Sequence, residues 1–154
     1  MYKDAKISHD GKYRYSLVRE WDKERPKVLF IGLNPSTADE KLDDPTIRRC
    51  INFAKRWGYG GILVGNLFAI RSTEPGLIRK DPDPVGPKND ASLLEMVKDA
   101  KLVVGAWGNH GAYLDRSAYV RRLIPDMKCL ARNKTGEPTH PLYISDDQEL
   151  IDLN

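Results

Sequence analysis

The stretch VLFIGLNPSTAD, residues 28–39, constrains this chain more than any other. Val28, Leu29, Phe30 and Ile31 form an apolar run that opens into Gly32, Asn34 and Pro35. A run of this length bounded by Gly and Pro reads as a strand buried on both faces, as in a parallel sheet. In such sheets ligands bind just past the carboxyl ends of the strands. Asn34, held between Gly32 and Pro35, therefore either caps a turn or faces a site. The same pattern returns three times. Ile62 to Val64 runs into Gly65-Asn66, Leu102 to Ala106 into Trp107-Gly108, and Met127 to Leu130 into the loop Ala131 to Pro141.

Helical patterns separate these runs. Asp44-Pro45 announces one, with Asp as N-cap and Pro at the first helical position. Ile47, Ile51, Ala54 and Trp57 then share a face until Gly58 and Gly60-Gly61. A second begins near Asn89 and carries Leu93, Leu94, Met96 and Val97; a third spans Tyr113 to Ile124, stopped by Pro125. Before the first buried run, YRYSLVREW predicts an edge strand within residues 1–22. Residues 71–88 are rich in Pro and Gly, including Pro75, and read as a functional lid or a mobile insertion. Residues 146–154 form an acidic tail.

The alternation predicts one α/β domain over residues 1–154. Its expected form is a three-layer α/β/α arrangement around a four-stranded, mainly parallel sheet. Right-handed crossovers would bring the strand ends to one rim, with Asn34, Asn66, Trp107-Gly108 and the loop bearing His140.

Composition narrows the chemistry. With 154 residues, 40% hydrophobic and 31% charged, the chain has the makeup of an ordinary globular domain. No apolar run approaches the roughly 20 residues of a membrane helix. MYKDAKISHDGKYRY lacks the apolar core of a secretory signal, which predicts a cytoplasmic protein. Cys50 and Cys129 lie in predicted apolar positions without metal-ligand spacing, so we expect two reduced core thiols and neither an iron–sulfur cluster nor a structural zinc. Neither a nucleophile elbow nor a Gly-rich phosphate loop is present. Asp39, Glu40, Asp43 and Asp44 could hold magnesium, but acidic residues stabilise a helix N-terminus and that reading is preferred. No metal and no cofactor are expected. His110 reads as a loop residue. His140, pinned between Pro138 and Pro141, is the best-placed acid or hydrogen-bond donor. Arg116, Arg121, Arg122, Arg132 and Lys134 form a basic segment that suits a phosphate-facing surface or a solvated helix face.

Together VLFIGLNPSTAD, DDPTIRR, GILVGNLFA and THPLY resemble a bacterial and phage domain family of unknown function, from about Tyr13 to Tyr143. At a greater distance the order of motifs resembles the uracil-DNA glycosylase superfamily. There one strand ends in G-x-[D/N]-P, a second in Asn, a third in Trp-Gly, and a late loop carries His-Pro. That resemblance implies a uracil-DNA-glycosylase-like fold. It implies that Asn34 positions the attacking water, Asn66 reads a flipped base, and His140 donates to the departing base. Gly32, Pro35 and Ser36 would surround the substrate, and Phe68, Trp107 or Tyr143 would stack on the base or wedge the duplex. The chain departs from those glycosylases at Ser36-Thr37 and in HPLYIS, which lacks their Ser and second Pro.

The leading expectation is thus an enzyme hydrolysing an N-glycosidic bond, a metal-independent DNA base glycosylase acting as a monomer. Two alternatives stand beside it. One is a non-catalytic module binding nucleotides or nucleic acid; the other is an enzyme of free nucleosides or nucleotides.

Overall fold

A computed structural model describes residues 1–74 and 76–154. Its strands are β1 (Tyr2–Ile7), β2 (Arg14–Glu20), β3 (Lys27–Gly32), β4 (Gly61–Asn66), β5 (Ala100–Gly105), β6 (Lys128–Cys129) and β7 (Ile151–Asp152). Its α-helices are α1 (Pro45–Arg56), α2 (Asn89–Asp99) and α3 (Arg116–Leu123). The described residues form a mixed α/β structure with one seven-stranded sheet, in the order β1-β2-β4-β3-β5-β6-β7. None of the helices is long and apolar enough to cross a membrane.

The four apolar runs form the parallel centre of this sheet. β3 pairs in parallel with β4 on one side and β5 on the other, and β5 with β6. Alternation divides their side chains between two cores. Leu29, Ile31, Leu63 and Val103 pack with Leu93 and Met96 of α2 and Val120 of α3. Val28, Phe30, Ile62 and Val64 face Ile47, Cys50, Ile51 and Ala54 of α1. Trp57, just beyond α1, stacks at 6.0 Å on Phe30 and 5.5 Å on Phe53. Burial pushes the thiols of Cys50 and Cys129 up, so both are inert core residues.

The sheet is larger than the four strands expected. β2 is not an edge strand, because Tyr2–Ile7 pairs outside it, antiparallel. That outer strand has no apolar alternation to reveal it; backbone pairing holds it, with Lys3 reaching Asp43 Oδ2 at 3.4 Å. The acidic tail also joins the sheet: Ile151–Asp152 pairs with β6, and Leu153 is buried. The third helix starts at Arg116 rather than Tyr113, because Leu114 and Asp115 adopt left-handed backbone, φ 55° and 53°. Of the Pro-rich segment, Pro75 lies outside the described residues. Elsewhere in it, Leu77–Arg79 forms a 3-10 turn and Ala69 N–H donates to Val85 O at 3.0 Å.

Arg19 organises the loop between β3 and α1. Its guanidinium is fully buried, donating to Asp43 Oδ1 at 2.7 Å and Leu42 O at 3.0 Å, and also to Asp39 O. Asp39 Oδ1 accepts from the Lys41 and Leu42 amides, and Asp44 Oδ1 from Ile47 N–H at 2.8 Å. The acidic cluster is therefore loop and cap structure, and no group of three metal-ligating side chains occurs among the described residues. Burial tends to raise the Asp43 carboxyl, but the bond and charge of Arg19, with Lys3, hold it below the usual range. A depressed carboxyl stabilises the fold above its unfolded pKa of about 4, and that contribution is lost as pH falls through the folded value. Arg19→Ala should cost roughly 3–5 kcal/mol in urea unfolding at pH 7. It should also flatten the loss of stability below about pH 4.

Candidate functional site

The carboxyl ends of β3, β4 and β5 open into one cavity of about 710 Å³ on the α1 side of the sheet. That is within the range of small-molecule sites. Gly32, Asn34, Pro35, Ser36 and Asn66 line it from the first two strand ends. Trp107, His140 and Tyr143 line it from the later loops. Main-chain bonds lock these ends together: Leu67 N–H to Gly32 O at 2.9 Å, Ala106 N–H to Ile31 O at 2.8 Å, and Gly108 N–H to Pro138 O at 2.9 Å.

The two amides are held differently. Asn34 Nδ2 lies 3.3 Å from each of the carbonyls of Pro35, Ile70 and Ser72. Three acceptors around one end of an amide place its NH₂ there, leaving Oδ1 free to accept from a ligand or water. The side chain thus ties the turn and lines the cavity at once. Asn66 is 4% exposed, and its Nδ2 is buried without a partner. Its Oδ1 sits over Gly32, 2.9 Å from where a Cβ on that residue would stand. Behind it, Asn89 Nδ2 donates to Asn66 O and Leu67 O, both at 3.0 Å.

His140 reaches the rim from eleven positions beyond β6 because its loop folds back on itself. Asn133 N–H donates to Glu137 O at 2.8 Å and Thr139 N–H to Ala131 O at 2.9 Å, around Gly136 at φ +90°. Arg49 of α1 holds the far side through Pro141 O at 3.3 Å and through Ile144 O. His140 Nδ1 accepts from Leu142 N–H at 3.2 Å, so the neutral ring carries its proton on Nε2. Burial lowers the pKa of the ring, with Asp44 opposing. Tyr143, 83% exposed, stands edge-on to His140 at 5.9 Å.

Several expected residues lie elsewhere. Phe68 is fully buried in the opposite core against Tyr113, 5.9 Å away, and lines no part of the cavity. Arg116 is 5% exposed and braces β4, donating to Leu67 O at 2.8 Å and Asp90 Oδ1 at 2.5 Å. Arg121 binds the carboxyl terminus through Leu153 O and Asn154 Oδ1, both at 2.9 Å. Helical spacing marks a basic residue without showing that a carbonyl or carboxylate already occupies it. Arg122, Arg132 and Lys134 remain exposed. His110, read as a loop residue, is also at the cavity mouth.

Two residues at the cavity were not among the expected site residues. Asp44 caps α1 and also lines the wall, where its charge acts on both His140 and Arg14. Arg14, 3% exposed, donates from Nη1 to Ala38 O at 2.9 Å, and its Nε has no partner. Burial pushes its pKa down to about 10. Its place in the β-prone YRYSLVREW run hid it, since strand alternation says nothing of a neighbouring loop.

Gly32→Ala tests the packing of the amide. The added methyl must displace Asn66 Oδ1, which should cost about 1–3 kcal/mol of stability. The Asn66 side-chain amide resonance should move while the spectrum of α2 stays in place.

No curated protein and no solved structure matches the chain. Residues 14–142 match the family described as "Protein of unknown function (DUF1643)", and the chain belongs to that family.

Proposed function

We propose that this protein hydrolyses an N-glycosidic bond, holding a nucleobase in the cavity at the ends of β3 and β4. The observation that supports this most is the meeting of Asn34, Asn66 and His140 around one cavity. The distant resemblance of GLNP, GN and THP to uracil-DNA glycosylases points the same way, including a fold of that type.

In this reading Asn66 pairs with the polar edge of the base, using an Nδ2 that otherwise has no acceptor. The C1′–N bond breaks with its electron pair going to the base. His140 Nε2–H donates to the charge that develops there, as in an oxyanion site. Asn34 Oδ1 orients a water whose oxygen bonds to C1′, and the proton released passes to the departing base through solvent. Asn34 cannot take that proton itself, so rate comes from orientation and from charge stabilisation. Asp44 adds a carboxylate to the wall facing the developing positive charge of the sugar. Stacking falls to Trp107 and Tyr143. The same weakness of Asn34 as a base favours a second reading, a module that binds nucleotides without cleaving them.

Base release from nucleosides, nucleotides and single- or double-stranded oligonucleotides carrying uracil or modified pyrimidines separates the two. His140→Ala and Asn34→Ala should each slow single-turnover release by about 10²–10³-fold with binding retained. Activity should fall on the acid side, at a pH below the ordinary histidine range, as protonation of Nδ1 breaks the Leu142 bond, and His140→Ala should lose this dependence. Tight binding with no release from any substrate would favour the binding module.

A further inference from the structure

Four buried side-chain polar atoms lack a partner among the described residues. Trp107 Nε1 packs against Gly111 and Leu67 in the opposite core, and Asn89 lines no part of the cavity. The other two, Arg14 Nε and Asn66 Nδ2, belong to residues lining the cavity, and both are donors. A buried donor without an acceptor costs about 1–3 kcal/mol, so a cavity lined by two such residues suits a ligand rich in acceptors. Asn66 is accounted for by a base edge. Arg14 is not.

Arg14 is a guanidinium 3% exposed whose sole side-chain hydrogen bond among the described residues is to the carbonyl of Ala38. Among the described residues it forms no ion pair, unlike the other buried arginines: Arg19 is paired with Asp43 and Arg116 with Asp90. Arg71 and Arg19 add like charge nearby, and the carboxylate of Asp44 opposes them from the same wall. Asp44 is itself held by Ile47 N–H, and Glu74, the other carboxylate lining the cavity, is exposed. Buried unpaired charge is strongly unfavourable unless a partner arrives.

We propose that Arg14 is an anion anchor in the depth of the cavity, and that the ligand enters with a terminal phosphate monoester on it. This deepens the nucleobase reading above and rests on it for the rest of the ligand: the substrate is a mononucleotide. A phosphodiester inside a strand must continue at both ends and needs an open channel. A monoester ends the chain and carries about −1.5 to −2 charges, which suits a buried guanidinium in a cavity that Phe30, Cys50 and Val64 also line.

The test is calorimetric titration of the full chain at constant ionic strength. The probes are inorganic phosphate, pyrimidine nucleosides, their 5′-monophosphates and a short single-stranded oligonucleotide. The monophosphate should bind about 10–100-fold tighter than its nucleoside, and Arg14→Gln should reduce that ratio to near one with nucleoside affinity kept. Arg14→Lys, which keeps charge and stem, should retain part of it. In the unaltered protein the shielded Nε–H of Arg14 should give a ¹H–¹⁵N resonance, assigned by its loss from the otherwise unchanged spectrum of Arg14→Lys, that moves on adding phosphate. Phosphate binding that depends on Arg14 with no nucleoside binding would sustain the anchor and end the nucleobase reading. Nucleoside binding with no preference for the monophosphate, or an unmoved Nε resonance, would overturn the anchor alone. An oligonucleotide binding as tightly as the monophosphate would overturn the monomeric substrate.

Discussion

Parallel pairing on both sides of β3 is the constraint from which the site follows. Ile31 lies beside Gly105 and Gly32 beside Asn66, so the three strands leave the sheet at one level. A hydrogen-bonded ladder tolerates no half-step, because a slip of one residue turns every side chain to the opposite face. Here a slip would exchange Val28 and Phe30 with Leu29 and Ile31 between two cores of different shape. The burial that holds the register also holds Asn66 over Gly32. Precision at the rim is thus a consequence of packing in the middle of the sheet.

The surroundings of the rim divide polar groups into two kinds. Most buried ones are satisfied within the chain: Arg19 by the loop that leads into α1, Arg116 by the end of β4, Glu137 by the Ser117 hydroxyl at 2.6 Å. These bonds fasten loops to the sheet, and each has a partner because leaving it bare would be costly. Arg14 and Asn66 keep donors with no acceptor among the described residues, and both residues line one cavity. That sets them apart from the groups that fasten loops to the sheet.

Much of the central architecture was legible in the residues. Val28 to Ile31, Ile62 to Val64 and Leu102 to Ala106 are apolar, β-prone and bounded by Gly or Asn, and Asp44-Pro45 carries its helix start openly. Local chemistry dictates such signals, so they survive without tertiary context. β1 and β7 were not legible, since YKDAKI and ID bury little and are strands only because a neighbour offers an open edge. The left-handed backbone at Leu114 and Asp115, which shortened α3, likewise carries no Gly or Pro to announce it.

The same division runs through the site. Sequence alone determined that Asn34, Asn66 and His140 follow strand ends or stand in rigid loops, because Gly permits the tight turns and Pro fixes the backbone around them. It also supplied the basic residues from Arg116 to Lys134. Only the tertiary structure decided which of these face a cavity and which are spent on the fold. Phe68 went to the core, and Arg116 and Arg121 to carbonyls of distant segments. Arg14, an unremarked residue of a strand, came to the cavity. The physical reason is range: propensity and periodicity act over a few residues, whereas an arginine's partner is whatever the packed chain brings within about 3 Å.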